Sequence, residues 1–141
     1  MTRLVQKTIS KPCDPRFLNE VRSLLAEAMQ DLPVSKREKD LLVLAVDEAV
    51  SSIVRYARYK GFESQITLSI DIDDVRFKAT LVDSLNVFEL AGGLNESQLA
   101  ERVAREKSYT MGIFLIRQIM DEITYVYRKG FQNELELIKF L

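Results

Sequence analysis

The chain has 141 residues, 47% of them hydrophobic, which is enough for one ordinary domain with a sizeable core. Its 20 basic and 21 acidic residues nearly cancel, so no general electrostatic field draws the protein toward nucleic acid or an anionic membrane. We expect one globular domain over residues 1–141, with no direct nucleic-acid or membrane partner.

The chain has a single cysteine, Cys13, and no histidine. This composition excludes an intramolecular disulfide, Ser-His-Asp catalysis and Cys-His catalysis within the chain, and argues against a zinc or histidine-based metal site. The segment Met1–Ser10 does not resemble a signal peptide, and no run of about 18 apolar residues is present that could span a bilayer. We therefore expect a cytoplasmic protein whose cysteine is an unreactive thiol.

The sequence begins with a predicted strand and an amphipathic helix. Leu4–Ser10 alternates loosely between apolar and polar residues, as a strand does. Asp14 and Pro15 then predict an N-cap followed by a proline at the first helical position, and the helix should end near Leu32 and Pro33. The apolar residues at helical spacing are Phe17, Val21, Leu24, Leu25 and Met29.

A longer helix should follow. Ser35 and Glu38 form a Ser-x-x-Glu capping box, and the helical pattern runs from there to about Tyr59, before Gly61 stops it. The predicted buried stripe of this helix consists of Leu42, Ala45, Val46, Ala49, Val50, Ile53 and Ala57.

After Gly61 the apolar period changes from helical to two, which predicts a pair of antiparallel strands turning at Asp73 and Asp74. The alternating apolar residues are Ile66, Leu68 and Ile70 in the first strand and Val75, Phe77, Ala79 and Leu81 in the second.

The rest of the chain is less regular at first. The pattern in the segment Val87–Thr110 predicts a short polar helix around residues 96–105, and Gly112 should begin another apolar helix. Strands are predicted over Ile123–Tyr127 and Glu134–Phe140. This order of elements predicts an α+β fold: a two-layer sandwich in which a mostly antiparallel mixed sheet carries its helices on one face.

Three blocks of the sequence carry a family resemblance. Leu44–Ala57 resembles the E-x-x-x-N helix of the GHKL ATPases, in the version found in anti-sigma factor serine kinases. Ala79–Phe88 resembles the strand that leads into the D-x-G-x-G-F box of that family, and Thr110–Glu122 resembles its G-x-G-L-F-L-I-R-x-x-M-D-E segment. The resemblance covers nearly the whole chain and implies the histidine kinase-like ATPase fold.

The resemblance also implies a site for ATP and magnesium. Glu48 would be the catalytic residue that orients or activates the attacking hydroxyl, and Ser52 would stand where an asparagine helps to hold magnesium against the phosphates. Asp83 matches the aspartate that accepts the adenine amino group. Thr110 and Gly112 match the two glycines at a helix start where phosphates meet free backbone N–H groups.

Four positions depart from the family pattern. Ser52 replaces asparagine, Leu85 and Val87 replace two glycines, and Thr110 replaces a third glycine. Glycine permits backbone angles and a close ligand approach that leucine and valine resist. Together these departures indicate a nucleotide site that is lost or put to another use.

Each retained residue also has a simpler interpretation. Glu48 on its own is compatible with a solvated helix carboxylate, Asp83 with a residue that caps the following turn, and Gly112 with an ordinary helix start.

Two functions remain open. In the first, the protein is a regulator in a bacterial partner-switching system that binds a STAS-domain anti-sigma antagonist, a sigma factor or both, with weak or lost ATP binding. In the second, it is an active ATP-dependent serine kinase that phosphorylates such an antagonist. A detached histidine kinase domain is disfavoured because the chain has no histidine to accept a phosphate. The resemblance also implies a homodimer.

Overall fold

The structure, a computed structural model, describes residues 3–60, 65–83, 109–126 and 133–141, with the side chains of residues 5–55, 65–83, 114–125 and 134–141. Five strands and three helices follow one another along these segments. In chain order they are β1 (Arg3–Pro12), α1 (Arg16–Ala28), α2 (Lys36–Lys60), β2 (Gln65–Asp73), β3 (Arg76–Asp83), α3 (Tyr109–Ile119), β4 (Glu122–Val126) and β5 (Asn133–Phe140).

The strands form one sheet in the order β1-β2-β3-β5-β4, and every neighbouring pair is antiparallel. The predicted α+β sandwich is thus confirmed, but no parallel pair is found among the described strands, where a mixed sheet was expected. The reason lies in the crossover through α3. It returns the chain so that β4 runs in the direction of β3, and β5 then inserts between these two strands.

The core lies between one face of the sheet and the helices. Along β2 and β3 the side chains alternate as predicted, with every second one buried. Burying one large aliphatic or aromatic side chain contributes about 1.5–3 kcal/mol, so this alternation is a major source of stability. The buried residues of the two strands are Ile66, Leu68, Ile70, Ile72, Phe77, Ala79, Leu81 and Asp83.

The turn between β2 and β3 differs from the sequence pattern at Val75. This residue continues the apolar alternation, but it lies before β3 and is 44% exposed. The Asp73 carboxylate explains the difference, because its Oδ1 accepts hydrogen bonds from the backbone N–H groups of Val75 and Arg76, both at 2.9 Å. This side-chain turn reverses the chain before the strand can begin.

Helix α1 is shorter than predicted. It ends at Ala28, and Met29 and Leu32 stay buried through a turn in which Leu32 N–H donates to Met29 O at 3.2 Å. At its start, Pro15 takes the cap position with helical angles, one residue later than predicted. The Asp14 side chain still accepts the free N–H of Arg16 at 2.8 Å, as a capping carboxylate does.

Helix α2 follows the prediction closely. The Ser35 hydroxyl accepts the backbone N–H of Glu38 at 3.1 Å, which confirms the N-terminal cap. Six of the seven residues in the predicted stripe are buried, and the side chain of the seventh, Ala57, lies outside the described residues.

The C-terminal elements shift slightly from their predicted bounds. Helix α3 includes Tyr109, so Gly112 lies inside its first turn and does not begin it. β4 and β5 each start one residue earlier than predicted. The polar helix expected around residues 96–105 falls outside the described segments. None of the described helices is both long and apolar enough to cross a membrane.

Candidate functional site

Two of the predicted site residues lie one turn apart on α2. Glu48 and Ser52 are four residues apart in sequence, so both project from the same side of the helix. Ser52 is fully buried, whereas the Glu48 side chain is 25% exposed. The helix therefore presents a solvent-accessible carboxylate above a buried hydroxyl.

A third residue, Arg55, completes this group, although the sequence analysis did not single it out. Its Nη2 donates a hydrogen bond to Ser52 Oγ at 3.4 Å and lies 3.9 Å from Glu48 Oε2. Both contacts are long, and the Arg55 side chain is 49% exposed, so each is weak on its own. We call Glu48, Ser52 and Arg55 the α2 cluster. The signal in the sequence that could have identified Arg55 is its helical spacing from both Glu48 and Ser52.

In the structure, Arg55 lies beside Ser52, where the family resemblance implies a magnesium ion. Magnesium requires oxygen ligands at about 2.1 Å in near-octahedral geometry, but the Ser52 hydroxyl already accepts a hydrogen bond from a guanidinium. At an effective dielectric near 20, two unit charges 4 Å apart interact by about 4 kcal/mol. For a divalent ion at that distance from the Arg55 guanidinium, the repulsion is twice as large before solvent screening reduces it. Within the described residues, no group of three acidic or cysteine side chains could hold a metal ion.

A second ion pair lies beside the cluster. Asp47 on α2 binds Arg22 on α1 through both carboxylate oxygens. The hydrogen bonds that Arg22 donates to Asp47, together with the negative charge of Asp47, raise the pKa of Arg22. Each of the two consecutive carboxylates, Asp47 and Glu48, is therefore matched by an arginine of the same chain.

Asp83 ends β3 and is 6% exposed. The register places it at the end of the sheet where β2 begins at Gln65, because Val82 lies opposite Thr67. Only residues 61–64 separate the end of α2 at Lys60 from Gln65, so the C-terminal part of α2 lies toward this same end of the sheet. The role of Asp83 in holding adenine remains a prediction.

Cys13 lies close enough to Asp83 to respond to its charge. Burial and then the negative charges of Asp83 and Asp14 raise the pKa of the Cys13 thiol to about 11. The thiol stays protonated at neutral pH, which agrees with the unreactive cysteine expected from the sequence.

The phosphate-binding positions are only partly described. Thr110 and Gly112 both belong to the first turn of α3, where backbone N–H groups have no partner within the helix. α3 packs against α2, the helix that carries the α2 cluster. Leu85 and Val87, the two departures from glycine, lie outside the described segments. The effect of these two side chains on nucleotide binding therefore stays a prediction.

The fold and the three sequence blocks can be compared with known protein families. The model of the histidine kinase-like ATPase domain family matches residues 12–139, and the chain belongs to this family. The predicted family resemblance is confirmed.

Individual relatives agree with this assignment. The serine-protein kinase RsbW of Staphylococcus epidermidis is 26% identical, with 92% of this chain and 83% of the relative covered. RsbW of Listeria innocua is 25% identical, with coverage of 87% and 80%. Among solved structures, the SiaB–SiaC complex from Pseudomonas aeruginosa contains a chain with the same fold, at a TM-score of 0.64 and 13% identity, over 99% of this chain and 91% of that one.

Proposed function

We propose that the protein is an anti-sigma-factor-like regulator in a bacterial partner-switching system. In this proposal residues 1–141 form one domain that binds a STAS-type antagonist, a sigma factor or both, and ATP binding is weak or lost. The protein acts in the cytoplasm, where sigma factors act, and it forms a homodimer as the family resemblance implies.

One observation carries the proposal: the family model matches residues 12–139, while the α2 cluster has an arginine where the resemblance implies a metal. A protein-binding surface depends on the whole fold and can persist after the chemistry of a cleft is lost. The RsbW relatives and the SiaB–SiaC complex support a role in which a protein partner is bound.

Isothermal titration with purified partners tests this function. The candidates are the STAS-domain proteins and sigma factors of the same organism, each titrated with and without ATP and magnesium. We expect at least one to bind, with an affinity that nucleotide does not change. The variant Glu48→Gln should bind the same partner equally well, because in this proposal the Glu48 carboxylate takes no part. A complete absence of binding, or binding that requires nucleotide, would contradict the proposal.

The second candidate is an active serine kinase. It is favoured by Glu48, which is retained and partly open to solvent, and by relatives that are themselves serine-protein kinases. In this case Arg55 must move away from Ser52 before the family's chemistry can operate.

A phosphate-transfer assay separates the two functions. The kinase should transfer radiolabelled phosphate to a serine of the STAS protein, and Glu48→Gln should abolish the transfer. Arg76→Gln is the matched control, because Arg76 lies at the opposite end of β3 from Asp83. No transfer at millimolar ATP and magnesium would exclude the kinase.

A further inference from the structure

Three large apolar side chains lie exposed beside one another at one end of the sheet. Phe140 ends β5 and is 52% exposed, Leu141 directly follows it and is 38% exposed, and Val75 lies in the turn between β2 and β3. The N–H of Leu141 donates a hydrogen bond to the carbonyl oxygen of Val75 at 2.9 Å, which joins the two segments. We call Val75, Phe140 and Leu141 the tip patch. Single apolar residues are normal on a protein surface, whereas neighbouring ones mark contact sites.

The tip patch lies at the opposite end of the sheet from Asp83. Phe140 is opposite Arg76, the first residue of β3, and Asp83 is the last residue of that strand. The internal segments outside the described residues all join the sheet at the Asp83 end: residues 61–64, 84–108 and 127–132. β1, where the side chains of residues 3 and 4 are not described, is separated from β3 by β2. The strands and the turn that form the tip patch are therefore described themselves.

Two aspartates fix the backbone of the tip patch. Asp73 Oδ1 accepts the N–H of Val75 at 2.9 Å, and Asp121 Oδ2 accepts the N–H of Phe140 at 2.7 Å. Together with the hydrogen bond between Leu141 and Val75, these contacts hold both segments before any partner arrives. A preformed surface loses less conformational entropy on binding than a surface that must first be ordered.

The rim of the tip patch carries a surplus of negative charge. The two aspartates that fix it each form an ion pair with a cation, so these four charges cancel. Two further carboxylates, Asp74 and Glu122, are exposed and form no ion pair with any described side chain. Asp74 directly precedes Val75. Glu122 lies opposite Ile138, two residues before Phe140, and such diagonal neighbours on adjacent strands are within reach of each other.

From this arrangement we infer that the tip patch binds an apolar segment of a protein partner that is bordered by lysine or arginine side chains. The apolar side chains of the partner cover the tip patch, and its cations face Asp74 and Glu122. A second copy of this chain is the less suitable occupant, because a two-fold contact would place the same surplus carboxylates against each other. The inference does not depend on the nucleotide site or on the proposed function.

Two synthetic peptides test the inference in titrations of the isotope-labelled protein. Both contain the same central stretch of leucine and phenylalanine, which is bordered by lysines in one peptide and by glutamates in the other. Two-dimensional proton–nitrogen NMR measures the changes at each backbone amide. We expect the lysine peptide to shift the amides of the tip patch. The glutamate peptide should bind on the order of tenfold more weakly, because it meets carboxylates of its own sign.

Substitutions separate the apolar part of the contact from the charged part. Phe140→Ser should weaken binding of the lysine peptide on the order of tenfold, because the exposed part of the phenylalanine is no longer covered. Val75→Ser tests the same surface from the other segment. Asp74→Asn combined with Glu122→Gln should remove most of the difference between the two peptides. Leu41→Ser is the matched control, since Leu41 on α2 is also an exposed leucine but lies outside the tip patch, and it should leave binding unchanged.

Melting temperatures of all variants verify that they are folded. No change at the amides of the tip patch, equal affinity of the two peptides, or unchanged binding by both Phe140→Ser and Val75→Ser would each overturn the inference. Sedimentation of the protein alone, at several concentrations, tests the other occupant. Self-association that Phe140→Ser abolishes would assign the tip patch to a second copy of the chain and would overturn the inference as well.

Discussion

Arg22 of α1 and Asp47 of α2 form a two-point ion pair, with Nε 2.7 Å from Oδ1 and Nη2 3.3 Å from Oδ2. The two residues are 25 positions apart, so the pair joins the two helices directly. Asp47 directly precedes Glu48 in the sequence. The pair thus connects α1 to the helix that carries the α2 cluster.

Reversing one charge of this pair should destabilise the protein. Arg22→Asp or Asp47→Arg alone should lower the melting temperature, because each places like charges together, and the double exchange should recover most of the loss. Thermal denaturation followed by circular dichroism measures all four proteins. At about 1 M salt the Debye length is only about 3 Å, so the differences should shrink. A double variant no better than the worse single variant would contradict a direct pairing.

The cap of α2 depends on one hydroxyl. Ser35→Ala removes the acceptor of the Glu38 N–H and should lower the free energy of unfolding by about 0.5–2 kcal/mol. Urea denaturation measures the change. Ser23→Ala on the exposed side of α1 is the matched control and should cost nothing, since alanine favours a helix interior. Equal effects of the two substitutions would show that the capping bond contributes no stability.

The centre of the sheet should be far less tolerant than its turn. Ile70 is fully buried in β2, so Ile70→Ala should cost about 2–5 kcal/mol through lost burial and a cavity. Val75→Ala, at an exposed position in the adjacent turn, should stay within about 0.5 kcal/mol. Chemical denaturation of both variants tests the contrast, which would fail if Val75→Ala proved as costly as Ile70→Ala.

Cys13 makes stability fall at alkaline pH. Its pKa is raised from 9.0 to about 11 in the folded protein, so the unfolded chain loses the thiol proton first as pH rises. The contribution is fully present below pH 9.0 and is lost as pH rises from there to about 11. Denaturation at pH 8, 9, 10 and 11, compared with Cys13→Ser, isolates this effect.

The thiol pKa itself is measured by the rate of alkylation against pH. Asp83→Asn should lower the pKa of Cys13 but leave it above 9.0, because burial is the larger cause. Asp74→Asn, in the turn between β2 and β3 at the far end of the sheet, should leave it unchanged. If Asp83→Asn had no effect, the charge of Asp83 would not reach the thiol.

Much of the local structure followed from the sequence alone. The apolar alternation from Ile66 to Leu81 predicted two adjacent strands, and the Ser35–Glu38 box predicted the start of α2. These predictions succeed because strand period and helix capping depend on residues a few positions apart. The order of the predicted elements similarly gave the α+β fold, and the family resemblance placed Glu48 and Ser52 on one helix.

Only the tertiary structure decided the relations between distant elements. The insertion of β5 between β3 and β4, and the pairing of Arg22 with Asp47, join segments that no local period relates. The end of α1 at Ala28 depended on how the following turn buries Leu32. The sequence spacing of Arg55 could have placed it on the same side of α2 as Glu48, but spacing shows no more than that. Its contact with both cluster members depends on the conformation that the packed side chains adopt.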